Sequence, residues 1–264
     1  MEKITVEKIR ARKKKRKISV LTCYDYSFAR IIDQAGIDII LVGDSLANVV
    51  LGLKETRAVP ISEMYAHTRA VAKAVKKALV VADMPYAAYQ KYPKRAYQHA
   101  AKFLDCGADA VKIEWFKDCH KVLKVLAKKG IPVMGHIGLT PQTVHLLGGY
   151  KVQGRDRQRA EELLEQARIF QLSGAFSIVI ELIPELLAKN ISRQIKIPTI
   201  GIGAGKYCDG QVLVLYDFLG LYSERKLKFV RIYHDLSKKL ASAVKNYIKD
   251  VAQARFPSSK ESFY

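Results

Sequence analysis

Six titratable residues stand at or just beyond the ends of short apolar runs: Asp44, Asp83, Lys112, Glu114, His136 and Glu181. Packing alone does not place charge at so many run ends. Asp44, Asp83 and Glu114 follow or close three of these runs. Brought together, three carboxylates repel one another unless a cation neutralises them, and an all-oxygen donor set suits Mg²⁺ or another hard ion. The competing reading is that each caps the helix that follows it. Lys112 and Glu114 are two residues apart, so on a strand they share a face. Neither could stay unpaired once buried. His136 fits either a hydrogen-bonded structural histidine or a pocket wall. The glycines of 201–205 would let a phosphate approach backbone amides, or simply allow a tight turn. The Walker lysine and the dinucleotide spacing are both missing there.

The runs that carry these residues are continuously apolar and rich in β-branched side chains: 18–23, 37–42, 79–82, 110–113, 132–135, 177–181, 199–202 and 211–215. That pattern marks strands buried on both faces. Amphipathic stretches separate them, with helices expected at 62–77, 93–106, 120–129, 157–172 and 184–194. Pro93 suits a first helical turn and Gly107 a stop. Eight strands alternating with helices over about 215 residues predict an α/β fold, a (β/α)8 TIM barrel rather than an open doubly wound sheet. In such a barrel the active site lies where the strands end. One domain is expected: a basic segment 1–17, a barrel 18–222, extra C-terminal helices 223–255 and a frayed tail 256–264.

The chain has 264 residues and a formal charge of +20, from 45 Lys and Arg against 25 Asp and Glu. Such a field attracts anions, including nucleic acid. The densest run, 8–17, has no interleaved aromatics for base stacking, so a solvated surface is expected and nucleic-acid binding is not. Cys23, Cys106, Cys119 and Cys208 form no C-x-x-C pair, which argues against a zinc knuckle. They read as reduced thiols of a cytoplasmic protein. No apolar run approaches the roughly 18 residues of a membrane span. Met1-Glu2-Lys3-Ile4-Thr5 opens no secretory leader.

Several stretches together are specific. They are Leu21-Thr22-Cys23-Tyr24-Asp25-Tyr26-Ser27-Phe28-Ala29, Val42-Gly43-Asp44-Ser45-Leu46, His67-Thr68-Arg69-Ala70-Val71, Ala82-Asp83-Met84-Pro85 and Val111-Lys112-Ile113-Glu114. Beyond them come Gly135-His136-Ile137-Gly138-Leu139-Thr140-Pro141-Gln142, Gly148-Gly149-Tyr150-Lys151-Val152-Gln153-Gly154-Arg155 and Ile200-Gly201-Ile202-Gly203-Ala204-Gly205, with Asp209-Gly210-Gln211. Over about residues 18–222 the chain closely resembles the ketopantoate hydroxymethyltransferase family. The resemblance implies a Mg²⁺-dependent barrel enzyme of pantothenate and coenzyme A biosynthesis. It would move a hydroxymethyl group from 5,10-methylenetetrahydrofolate to 3-methyl-2-oxobutanoate through an enolate, giving 2-dehydropantoate. It implies Asp44, Asp83 and Glu114 as metal-site residues. Ser45 and Lys112 would hold the 2-oxo acid, with Asp44, Asp83 and His136 lining the same pocket. Glu181 would accept the proton. A homo-oligomer, a decamer, is also implied, with no nucleic-acid or membrane partner. The chain departs from the family pattern at Ala47-Asn48, across 85–89 and at Leu182-Ile183-Pro184, all pocket-wall positions. The alternative is another Mg²⁺ enolate enzyme on a related barrel, such as the phosphoenolpyruvate mutase and isocitrate lyase group. That group's Lys-Lys-Cys-Gly-His motif is absent here.

Overall fold

Apolar β-branched segments with no polar face can only be strands covered on both sides, and here they are. β1 Ile18–Thr22, β2 Ile39–Val42, β3 Leu79–Asp83, β4 Ala110–Glu114, β5 Val133–Gly138, β6 Ser177–Glu181, β7 Thr199–Ile202 and β8 Gly210–Leu213 form a closed parallel barrel. β1 closes it by pairing with β8, Ile18 against Gly210 and Val20 against Val212. The computed structural model describes residues 2–221 and 227–263. The expected strands lie within a few residues of the observed ones. Helices Ile61–Ala74, Pro93–Asp105, Cys119–Lys128, Arg157–Leu172 and Glu185–Gln194 match those expected. Helices Val6–Ala11 and Tyr26–Gln34 were not foreseen. The connection from β7 to β8, residues 203–209, holds no helix.

The chain divides into two compact units, Met1–Val214 and Leu215–Tyr264. In the first, alternate strand residues fill the barrel. Ile18, Val20, Ile39, Leu41, Leu79, Val81, Ala110, Met134, Val179, Ile200 and Val212 form one buried cluster. Ile9, fully buried, belongs to that cluster, with Ile4 and Val6 packed against it. The Val6–Ala11 helix therefore stoppers the end where the strands begin. Full burial of one such side chain contributes about 1.5–3 kcal/mol.

The basic run is part of this stopper, which corrects the expectation of a merely solvated surface. Arg12 pairs with Asp38, just ahead of β2. Lys13 Nζ lies 2.7 Å from Asp209, just ahead of β8, and donates to the Ser192 carbonyl at 2.8 Å. Lys17 donates to the carbonyl of Cys208. These cations fasten the segment to strand entrances on opposite sides of the barrel seam.

Asp33 performs a similar task for the Tyr26–Gln34 helix. Its buried carboxylate accepts the amides of Lys76 and Lys77 at 3.0 Å and of Ala78 at 2.8 Å, where the chain enters β3. Burial opposes its ionisation, but the three amides outweigh it and hold the carboxyl below the usual range. A folded value below the unfolded one stabilises the protein above the unfolded pKa of about 3.9. That stability is lost as pH falls through the lower folded value. Asp33→Ala should cost about 1–3 kcal/mol near neutral pH. It should also flatten the acid limb in urea titrations run from pH 6 to pH 3. An unchanged acid limb would refute this role.

In the second unit, Leu236–Ala252 is a helix capped by the Asp235 side chain on the Lys238 amide. None of its residues is buried. Leu240, Val244, Tyr247, Ile248 and Val251, spaced along one face, are 47–59% exposed. The expected helical region 223–255 is thus shorter. Residues 227–235 are not helical, and its start, with the barrel's expected end at 222, lies outside the described residues. The four cysteines are free and buried. No helix among the described residues is long and apolar enough to cross a membrane.

Candidate active site

Strand register assembles the site at the carboxyl ends of the strands. Asp83 sits beside Lys112, Glu114 beside His136, and Gly138 beside Glu181. Neighbouring strands are about 4.8 Å apart, whereas residues two apart on one strand are about 6.6 Å apart. Register partners therefore pair in preference to strand neighbours. The Lys112 ammonium donates to Asp83 Oδ1 at 2.6 Å, both groups buried, and not to Glu114, its neighbour on the same face. Glu114 instead faces His136, with Oε1 3.4 Å from Nδ1. His136 Nε2 lies 3.2 Å from Glu181 Oε2. Both histidine contacts are ion-pair distances without hydrogen-bond alignment.

Asp44 and Ser45 follow β2 in a tight turn. The Asp44 amide donates to Asp83 Oδ2 at 3.0 Å. A side chain at Gly43 would meet Ser45 Oγ at 3.0 Å and Thr22 at 3.3 Å, so glycine lets the turn close. The Tyr24 hydroxyl bonds Ser45 Oγ at 2.8 Å and Thr22 Oγ1 at 2.7 Å, fixing the serine. Glu114 accepts the Gln142 amide at 3.2 Å, and its own amide donates to the Tyr89 hydroxyl at 3.1 Å. Tyr24, Tyr89 and Gln142 are positioning residues that sequence reasoning did not single out. All three are neutral, so charge at strand ends could not reveal them. Tyr24 and Gln142 do fall inside the family-like stretches.

The β6 end is shaped by backbone constraints. Gly138 adopts φ +93°, and a side chain there would strike the Glu181 carbonyl. Leu182 takes φ +51°, a left-handed conformation costing roughly 1–2 kcal/mol in a non-glycine residue. It is held by its amide on Ile202 and its carbonyl under Gln153, both at 2.9 Å. The glycines at 201–205 pack rather than cradle. A side chain at Gly205 would collide with Glu185, and one at Gly201 would touch Cys208 Sγ at 3.1 Å. The tight-turn reading of this stretch therefore suffices.

The charges alternate along the rim. Burial, aided by Asp83, pushes the Asp44 carboxyl up to about 7. Burial also raises Glu114. Burial opposes the charge on Lys112, but Asp83, Asp44 and Glu114 outweigh it and hold the ammonium above the usual lysine value. Burial and Lys112 likewise oppose charge on His136, yet Glu114 and Glu181 raise it to about 9. Asp44 Oδ2 is the buried carboxylate oxygen in this row without a hydrogen-bond partner.

A buried oxygen of that kind, next to a second carboxylate, suits a hard cation that takes few protein ligands and completes its shell with water or substrate. No group of three or more His, Cys, Asp or Glu side chains among the described residues is spaced to hold a metal ion. Asp44 fits such an ion best, through its unpartnered Oδ2, with Asp83 adjacent through the Asp44 amide on its Oδ2. Asp83 and Glu114 are each already engaged, by Lys112 and by His136 and Gln142 respectively.

A family profile described as ketopantoate hydroxymethyltransferase matches residues 3–259. A 3-methyl-2-oxobutanoate hydroxymethyltransferase from Clostridium botulinum is 50% identical over 248 residues, covering 94% of this chain and 90% of the relative. One from Thermoanaerobacter is 46% identical over 264 residues, covering 99% and 96%. Among solved structures, phosphonopyruvate hydrolase superimposes with a TM-score of 0.64 at 14% identity, covering 99% of this chain and 93% of its own. That likeness is one of fold.

Proposed function

The chain belongs to the ketopantoate hydroxymethyltransferase family, and from that premise we propose how its rim residues carry out the reaction. The enzyme is a hydroxymethyltransferase that converts 3-methyl-2-oxobutanoate to 2-dehydropantoate. The donor we assign is 5,10-methylenetetrahydrofolate. Asp44 and Asp83 would hold Mg²⁺, with Glu114 beside them; bound there, the ion withdraws electron density from the 2-oxo group and acidifies C3.

The remaining steps belong to protein side chains. Lys112 has N–H donors beyond the one given to Asp83, and these meet the substrate carboxylate. Ser45, fixed by Tyr24, orients the 2-oxo acid. Glu181 removes the C3 proton. His136, protonated between Glu114 and Glu181, orients Glu181 from 3.2 Å and lines the pocket. The C3 carbon then bonds to the methylene carbon of the folate, both carbon–nitrogen bonds of that methylene break, and water supplies the hydroxyl. Tetrahydrofolate leaves, its two nitrogens taking up the proton lost from C3 and one from the water. One observation carries this assignment: Glu181, 15% exposed, stands at the open end of an otherwise buried row of charges, 3.2 Å from His136. A general base must reach substrate while its partners stay dry.

We also place the protein in the cytoplasm, where free buried thiols persist, as a homo-oligomer. The exposed apolar face of Leu236–Ala252 supports further burial of surface. The test of the metal assignment is formation of 2-dehydropantoate after exhaustive chelation. Activity should vanish and return with Mg²⁺ or Mn²⁺. Asp83→Asn should lose metal affinity and activity together while the circular dichroism spectrum is kept. Full turnover by the chelated enzyme would sink the assignment.

A further inference from the structure

We propose that a second anion site, outside the strand-end rim, lies in the cavity bounded by the basic run, the Glu185–Gln194 helix and the 203–209 connection. The cavity measures about 460 Å³ and is lined by Lys14, Lys189, Ser192, Arg193, Tyr207 and Asp209. That volume suits a small metabolite. It is set at the opposite end of the barrel from the catalytic rim, since Asp209 immediately precedes β8 and Ser192 Oγ bonds Thr199, the first residue of β7, at 2.7 Å.

Charge decides what this cavity takes. Lys14, Lys189 and Arg193 make no ion pair with any carboxylate among the described residues. The carboxylate in the wall cannot neutralise them, because it is already saturated. Asp209 Oδ2 accepts from Lys13 at 2.7 Å and from the Thr199 amide and hydroxyl at 2.9 Å, and Oδ1 accepts the Lys14 amide at 3.1 Å. That last bond holds Lys14 at φ +58°, a conformation that costs energy in any residue with a side chain. Lys189 is likewise prepositioned, its Nζ 4.5 Å from the Tyr207 ring centroid, with Lys206 at 5.6 Å from the same ring. Three cationic residues thus line one concavity, none of them paired with a carboxylate among the described residues.

The ligand class that answers this is a small polyanion of the di- or triphosphate type. Several tetrahedral oxygens can engage one guanidinium and two ammonium groups at once. A nucleic-acid strand fits less well. Its bases need a free aromatic face, and two lysines lie over the ring of Tyr207. Because Lys14 belongs to the N-terminal stopper, a bound polyanion would also tie that segment to the Glu185–Gln194 helix.

The test is calorimetric titration of the metal-free, full-length protein with inorganic triphosphate. Binding is expected, and the Lys14→Ala/Arg193→Ala variant should weaken it at least about tenfold. Its kcat and KM without triphosphate should match the parent. Lys124→Ala/Lys128→Ala removes the same charge from the exposed face of the Cys119–Lys128 helix and should change the Kd less than about twofold. Saturating 3-methyl-2-oxobutanoate should leave the triphosphate Kd unchanged. An unaltered Kd in the pocket variant, an equal loss in the control variant, or competition by the oxo acid would each overturn the site. A 20-mer oligonucleotide binding more tightly than triphosphate, and losing affinity in the same pocket variant, would overturn the small-ligand reading in favour of a polymer.

Discussion

Glu181→Gln is expected to lose turnover by about 100- to 10,000-fold, the usual contribution of a positioned proton acceptor. The substitution keeps the size of the side chain and a hydrogen-bonding oxygen, but an amide cannot take a proton at neutral pH. The C3 proton is weakly acidic, so activation of the neighbouring ketone lowers the barrier without removing the need for a base. Binding of the 2-oxo acid should be nearly unchanged, because the groups assigned to hold it lie on other strands. Deprotonation can be isolated from carbon–carbon bond formation. Without folate, the parent enzyme should exchange the C3 hydrogen with deuterium from solvent, and the variant should not. Exchange at the parental rate would place the base elsewhere, with His136 the next candidate. His136 is 2% exposed and flanked by two carboxylates, so it should hold its proton when Glu181 is present. Loss of the Glu181 charge removes one of the groups that hold that proton and shifts His136 downward.

Lys112→Ala should produce two separable losses. The first is stability. Lys112 and Asp83 form a buried pair at 2.6 Å, and removing one member leaves an uncompensated charge at a cost of about 3–5 kcal/mol. The second is recognition of the 2-oxo acid, whose carboxylate would lose its cation. Truncation of one partner of such a pair costs at least about 2 kcal/mol, roughly a 30-fold rise in KM for that substrate but not for the folate. The double variant Lys112→Met/Asp83→Asn tests the first loss alone: its urea stability should recover most of what the single variant loses. The KM comparison is read on Lys112→Ala, because Asp83→Asn also removes a residue assigned to the metal. Lys112 also lowers the pKa of Asp44, so its loss pushes Asp44 further upward in the metal-free protein. Equal KM increases for both substrates would make Lys112 purely structural. Unchanged urea unfolding of the single variant would remove the pair's structural weight.

The barrel was legible because its strands read as apolar on both faces, a pattern few other elements produce. Strand ends could then be scanned for charge, and Asp44, Asp83, Lys112, Glu114, His136 and Glu181 all lie along the rim. Pairing was the part that residue types could not show. Spacing along β4 put Lys112 and Glu114 on one face, but only the register between strands reveals that each has a nearer partner on its neighbour. Neutral groups that hold charged ones, Tyr24, Tyr89 and Gln142, left no trace in charge or periodicity. The basic run misled for a related reason. Arg12, Lys13 and Lys17 meet partners up to 196 residues away, and no local pattern carries that distance. Fold alone also could not select the chemistry. Phosphonopyruvate hydrolase shares the architecture at 14% identity. The identity of 46–50% with hydroxymethyltransferases separates this chain from the mutase and lyase alternative.

The stopper at the barrel entrance inverts the order of synthesis and the order of burial. Ile9 emerges ahead of every barrel strand during translation, yet the cluster that receives it includes Val212. The partner of Lys13 is Asp209, and β1 has no second neighbour until β8 arrives. A growing chain therefore carries an unseated hydrophobic plug and two open strand edges until nearly the whole barrel has been made. Closing a loop of that length is slow, because its entropy is lost before any contact compensates for it. The interval before closure, rather than the finished fold, is where this protein is most exposed to aggregation and most dependent on chaperones.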